Sequence, residues 1–237
     1  MAEQIVRDAK LWMGVSELSG DMTSIVLDHG ADAVENTTLG DTTRTRLGGL
    51  KNIGLSMEGY FDIAPDNAFF GALSVANAVV SVGKTDGSDG SGAFTFQSLA
   101  GAYGASGAIG EMLTFSASAE GRGDLISGTI MHNAARTATG DGTARQLGAV
   151  AAGQSLYLAM HVIAASGTTP TLDVIVESDD NGSFTSGVTR ATFTQKVAVG
   201  WQWIEVAGAI TDDWWRVGYT IAGTTPSFTF VNIVGIQ

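Results

Sequence analysis

The sequence predicts an all-β protein with one short helix, and three observations lead there. Apolar and polar residues alternate with period two in short runs. Turn residues bound those runs, with glycine abundant at 32 and proline scarce at 3. A single stretch of the chain carries a helix start signal ahead of a helix-forming run.

Residues 1 to about 20 are weakly periodic and read as an arm or an irregular first strand. Met22–Leu27 reads as a strand. The polar stretch from Glu35 through Leu50 to Lys51 reads as a long loop, of a length that is usually functional inside compact domains. Ile53, Leu55, Met57, Gly59 and Phe61 then alternate with polar neighbours, the clearest strand of the first half. Pro65 and Asp66 supply a turn and an N-cap for a helix at Asn67–Asn77. Val79–Val82, Phe94 with Phe96, Leu113–Ala117 and Leu125–Met131 read as strands. Lys84–Gly92, Gly101–Gly110 and Gly121–Gly123 read as the turns and loops between them. These elements form an expected first domain, residues 1–133.

Residues 134–152 lack aromatic side chains and read as a connector. Beyond them, Leu156–Ala164, Leu172–Glu177, Thr189–Val197, Trp201–Val206, Trp214–Ile221 and Phe228–Ile236 predict a second domain, 153–237, built as a sandwich or barrel. An echo, Gly167-Thr168-Thr169-Pro170 against Gly223-Thr224-Thr225-Pro226, reads as two hairpins sharing one turn chemistry.

Composition excludes several functions. Charged residues are only 15% of the chain, so much of its surface is covered by small residues or by neighbouring molecules. The balance of 24 acidic against 12 basic residues, a formal charge of −12 without a Lys/Arg cluster, argues against tight nucleic-acid binding, which needs cations to displace counterions from phosphates. DNA passing along such a surface without capture is compatible with it. Without cysteine there are no disulfides or thiolate metal sites, which suits a reducing cytoplasm. No segment has the apolar run of a signal peptide or the roughly 18 apolar residues of a membrane helix, so no membrane partner is expected.

Catalytic and metal signatures are absent. His29, His132 and His161 are far apart and have no second ligand at metal spacing. His161 lies inside a strand, where a hydrogen-bonded structural histidine is the expected role. No serine is marked as a nucleophile by its neighbours. Asp86–Gly92 and Ser178–Gly182 have calcium-loop composition but lack the terminal carboxylate or the alternating oxygens, so plain turns are expected. Gly104, Gly107 and Gly110 form no phosphate cradle. Neither an enzyme nor a cofactor is predicted.

One segment resembles a known family. Asp32 to Asn52, DAVENTTLGDTTRTRLGGLKN, runs into Leu55 to Asp62, LSMEGYFD, and looks like the strand, long loop and strand of the major tail tube proteins of long-tailed, non-contractile bacteriophages. Leu39 stands where that family often has an aromatic residue. Gly110 to Gly121, GEMLTFSASAEG, is similar to a later strand of the same domain. The resemblance implies a tail-tube-type β-sandwich or barrel with one flanking helix, and a second small β-sandwich on the outside of a tube. It implies partnership with further copies in stacked rings, hexameric in expectation, and with tape measure, tail terminator and distal tail proteins. DNA would be present only in transit. Assembly would occur in the host cytoplasm and the product would reside in the virion tail. Leu39, Asp41, Arg44, Arg46, Leu47, Leu50 and Lys51 are the expected inter-ring or inter-subunit contacts. Two other classes stay open: a capsid decoration or other virion protein, and a carbohydrate-binding adhesin module using Trp201, Trp203, Trp214 or Trp215.

Overall fold

A computed structural model of the chain describes residues 9–63, 66–67, 69 and 76–237. Among the described residues it is all-β, as the sequence predicts. Thirteen strands are joined by antiparallel pairing in the order β11-β10-β13-β7-β6-β5-β1-β2, with β3, β4, β8, β9 and β12 attached to the side. That order has two free ends, so the expected alternative of a closed barrel is not realised. The strands are β1 (Leu11–Met13), β2 (Ser16–Glu17), β3 (Met22–Glu35), β4 (Arg46–Tyr60), β5 (Ala76–Gly83), β6 (Gly92–Ser106) and β7 (Thr114–Arg136). They continue as β8 (Gly140–Asp141), β9 (Arg145–Gln146), β10 (Ser155–Asp179), β11 (Val188–Thr192), β12 (Gly200–Ala207) and β13 (Trp214–Ile236). The helix expected at 67–77 falls largely outside the described residues, and Ala76 and Asn77 open β5.

Two compact units divide the chain. Unit 1 comprises residues up to 20, 78–97 and 126–237, and unit 2 comprises 21–77 and 98–125. This is not the linear partition into 1–133 and 153–237. The expected connector is also structured. Within 134–152, β7 runs on to Arg136, β8 and β9 pair with β13, and Val150 bridges Ile210.

In unit 1, β10 and β13 form one long antiparallel ladder from Leu156↔Ile236 to Asp179↔Trp214, with register shifts between Val162 and Thr171. The sequence puts turns at those shifts. The structure instead places the two Gly-Thr-Thr-Pro segments opposite each other, with Thr168 paired to Thr224. Gly167 and Gly223 have φ of 116° and 125°, and Thr169 and Thr225 have φ of 49° and 48°. A Cβ on Gly167 would meet Thr225 O at 2.8 Å, and one on Gly223 would meet Thr169 O at 2.9 Å. The echo is thus a pair of matched bulges in the middle of two strands, related by local two-fold symmetry, each requiring glycine because the other backbone comes so close.

This bend folds the ladder over itself. Leu156, Leu158, Met160 and Val162 share a core with Leu172, Val174 and Val176 of the same strand, and Phe228 and Phe230 share it with Trp215 and Val217. On its other face the first half of β10 presents Ala159, beside Val231 and Ile233, to Trp12, Val79 and Ala93. The sheet β12-β10-β13-β7 is therefore covered on both faces. That explains why its strands, LYLAMHVIA and FTFVNIVGI, are continuous apolar runs and not alternating ones. Each Leu, Ile or Val so enclosed contributes about 1.5–3 kcal/mol.

In unit 2, β3 pairs with β4, and the second half of β4 pairs with the first half of β7 from Gly54↔Glu120 to Tyr60↔Thr114. Ile53, Leu55 and Met57 are buried on one face, as the alternation predicts, together with Phe115, Ala117 and Ala119. Phe69, Tyr103 and Phe115 form a ring cluster with centroids 5.9–6.4 Å apart.

Candidate assembly surface

The stretch expected as a loop is mostly a ribbon. Glu35 ends β3, Arg46 begins β4, and only residues 36–45 lie outside strands. From Asp28 to Asn52 every residue except Thr37 is exposed, on both faces of the two strands. A two-stranded ribbon without a packed face is marginal in water by itself. Its register, from Val34↔Leu47 down to Leu27↔Leu55, is anchored at its base by the buried residues of β4.

Short polar bonds shape the tip. The Asp41 carboxylate accepts from the Thr38 backbone N–H at 2.7 Å and from its hydroxyl at 3.1 Å. The Asp41 N–H in turn donates to Thr38 O at 3.0 Å. Thr45 N–H donates to the Thr37 hydroxyl at 3.1 Å, and Asn36 N–H donates to Thr45 O. Asp41 is thereby a turn-forming residue with its carboxylate engaged by Thr38.

The structure places the other expected contact residues on this ribbon. Leu39 is fully exposed at the tip, while Leu50 and Leu47 on β4 are 82% and 59% exposed. Arg44 lies 3.9 Å from Glu35, and Lys51 lies 3.5 Å from Asp124, both loose surface pairs of small energetic value. Arg46 faces Glu35 in the strand register. The ribbon thus gathers Leu39, Arg44, Arg46, Leu47 and Leu50 into one solvent-facing feature.

A second apolar feature lies at the other end of β4. The β6–β7 turn carries Ile109, fully exposed, with Met112 and Leu113, and Phe61 N–H donates to Leu113 O at 2.9 Å. Ile63, 70% exposed, adjoins Phe61 in the chain. The signal was the run Ala108-Ile109-Gly110-Glu111-Met112-Leu113, too apolar for an ordinary solvated turn.

Elsewhere the chemistry-bearing residues serve packing. His161 is wholly buried, with Nδ1 donating to Gly14 O at 2.8 Å and Nε2 accepting from the Ser81 hydroxyl at 2.8 Å. Ser81 in turn lies 2.8 Å from the Thr95 hydroxyl. Enclosure makes this serine–histidine pair a structural bond between layers and denies it substrate. Burial pushes His161 down to about 4. His132, stacked on Phe230 with centroids 4.2 Å apart, is likewise lowered by burial to about 4. His29 is exposed on β3.

The two calcium-like segments are turns. Asp86 accepts from Ser88, whose backbone and hydroxyl bonds lower its pKa, and Asp89 accepts from Asn133 N–H at 2.6 Å. Asp179 accepts from Ser186 N–H at 2.9 Å. Among the described residues no group of three His, Asp or Glu could hold a metal ion. Trp215 is buried and donates to Gly148 O, Trp201 and Trp203 pack against the inner core, and Trp214 lies over Gly182. None of the four is an exposed sugar-stacking platform.

No family model and no curated protein matches the chain. Three solved structures to which it is similar are tail or virion components. In the virion of a native gene transfer agent particle, one chain is 15% identical with a TM-score of 0.44, covering 52% of this chain and 97% of that one. In the C6-symmetric tail of an empty gene transfer agent particle, the values are 17% identity, TM-score 0.37 and coverage of 44% and 80%. The SPP1 Dit protein, described as a paradigm of hub adsorption apparatus in phages infecting Gram-positive hosts, is 8% identical with a TM-score of 0.38, covering 98% of this chain and all of that one.

Proposed function

We propose that the chain is a structural, non-enzymatic virion protein that polymerises into stacked rings, hexameric in expectation, forming the tube of a non-contractile phage tail through which DNA passes. The observation that carries this reading is the ribbon from Asp28 to Asn52, exposed on both faces and tipped with leucines. Such a ribbon gains little from its own chain, so its retention is accounted for by a surface on another molecule. The likeness of Asp32–Asp62 to the tail tube family gives that molecule an identity: further copies of the same chain. Low charge agrees, because surfaces destined for interfaces are depleted of ionised side chains. The acidic excess agrees with a wall past which a polyanion slides.

In this reading the assembly forms in the host cytoplasm around a tape measure protein, between terminator and distal tail proteins, with no membrane or cofactor. Negative-stain electron microscopy of the purified protein tests it. Long hollow polymers support the proposal. A protein that stays monomeric at high concentration, or that binds only to preformed shells, refutes it.

A further inference from the structure

We propose that the outer face of β10, β13 and β8 carries a binding hollow for one neutral saccharide ring, seated over Gly218 between the carboxylates of Asp173 and Asp141. The site lies wholly within unit 1 and does not depend on self-assembly.

Strand register builds the hollow. β10 pairs with β13 through Asp173↔Thr220 and Ile175↔Gly218, and β13 pairs with β8 through Gly218↔Asp141. Ile175, Gly218 and Asp141 therefore form one row across three strands, and Asp173 with Thr220 forms the next row on the same face. Gly218 leaves the middle of the first row without a side chain. A Cβ there would meet Ile175 Cγ1 at 3.1 Å and Asp141 Oδ1 at 3.2 Å, so these two wall the gap. Gly218 is not among the glycines with positive φ, so its backbone does not call for glycine, and open space is what the residue supplies. Glycine inside a strand often marks the close approach of another group. The hollow has a volume of about 190 Å³.

Its walls are acceptors held in place. The Asp173 carboxylate accepts from the Gln195 amide at 2.9 and 3.0 Å, a neutral partner that fixes the group and leaves its charge. Asp141 lies 3.4 Å from Arg216, which donates to Glu177 at 2.8 Å, so the cation beside the hollow is already matched by two carboxylates. Thr220 is exposed. Tyr219 also lines the hollow, although it is only 7% exposed and its ring belongs to the core. Its hydroxyl lies 3.1 Å from where a Gly140 Cβ would be and has no hydrogen-bond partner among the described residues.

These groups select the ligand. An anion would meet two carboxylates and no free cation. A metal ion would need both carboxylates at once, yet Asp173 and Asp141 are two strands and two residues apart, about 12 Å between Cα atoms at ordinary sheet spacings. A neutral ring with hydroxyls on its rim and C–H groups on its face fits instead. The rim donates to Asp173 and Asp141 and meets the Thr220 and Tyr219 hydroxyls, while the face rests on Gly218 and Ile175. The volume is below the roughly 300–1,000 Å³ of sites for drug-sized ligands, which suits a single ring.

Saturation-transfer NMR of the full chain with the methyl glycosides of glucose, galactose, N-acetylglucosamine and rhamnose tests this. At least one should bind with a dissociation constant of about 1 mM, the strength within reach of about a dozen heavy atoms, and should shift the Gly218 and Thr220 amides. Asp173→Asn, which keeps an acceptor for Gln195, and Thr220→Val should each leave the melting temperature nearly unchanged and weaken binding about tenfold. Glucuronate should bind at least about tenfold more weakly than methyl glucoside, because its charge is repelled. Absence of binding to all four glycosides at millimolar concentrations would overturn the proposal. So would binding that both folded variants retain in full, glucuronate binding as well as the glucoside, or calcium or lysinamide shifting these amides while no glycoside does.

Discussion

His161 on β10 and Ser81 on β5, 80 residues apart in the chain, meet with Nε2 2.8 Å from the hydroxyl, and the other ring nitrogen reaches Gly14 O. The carbonyl must accept, so Nδ1 carries the proton and the ring is neutral. Protonation would place a second N–H against the serine in a fully buried site. Stability is therefore expected to be full above about pH 6.5 and to fall as the pH drops towards about 4, because the unfolded histidine binds a proton that the folded one refuses. The loss from His161 is of order 3 kcal/mol. His132 acts in the same direction. Thermal melts from pH 8 to pH 4 check this, and His161→Gln should melt lower at pH 8 but respond less to acid.

Ser81→Ala would leave His161 Nε2 without its donor. A loss of about 1–3 kcal/mol at neutral pH is expected, read as a lower denaturant midpoint with an unchanged slope.

Gly167→Ala and Gly223→Ala should each cost about 2–4 kcal/mol, since each places a Cβ against backbone at a φ that disfavours side chains. The two glycines press on one shared contact, so the double variant should cost less than the summed single losses. Calorimetry of the three variants measures this directly.

A chain ended near residue 135 should not fold as a unit. Trp12, Val79 and Ala93 lose Ala159, Val231 and Ile233 from their core, and β7 loses its partner β13. Circular dichroism should show no cooperative melt. A soluble, cooperatively folding fragment would restore the linear division into 1–133 and 153–237.

Exchange of Arg44 and Arg46 for Glu should leave the melting temperature nearly unchanged, because both are solvent-facing and Arg44 makes only a 3.9 Å pair. Asp41→Asn should matter less than Asp41→Ala for assembly, since Asn keeps an acceptor for Thr38. Sedimentation velocity separates these effects on assembly from effects on folding.

The strand segments were legible because burial writes period two into the sequence, as at Ile53, Leu55 and Met57. Their ends were not. Gly121–Gly123 reads as a turn, yet β7 runs straight through it, with Gly123 at φ 84°. Gly167 and Gly223 read likewise. Glycine permits a turn and a bulge alike, and which occurs depends on a partner strand that local sequence does not show. The ribbon tip was visible as a composition, whereas the exposed apolar cluster of Ile63, Ile109 and Met112 needed the register of β4 against β7 to bring Phe61 beside Leu113. The covered faces of β10 and β13 left their mark as unbroken apolar runs, whose meaning required knowing what lay on each side.

The bond from Gly14 to His161 joins residues 147 apart, and unit 1 takes its layers from both ends of the chain while unit 2 is spliced between them. During synthesis, Leu11–Met13 emerge early and must wait for β10 and β13, which supply Ala159, Val231 and Ile233 to the core around Trp12. Until then Trp12 has only Val79, Ala93 and Ile130 of that core beside it. Folding dominated by such distant pairings is slow and prone to aggregation. The core of unit 1 is thus complete only once β13 has been made, long after all of unit 2 has emerged.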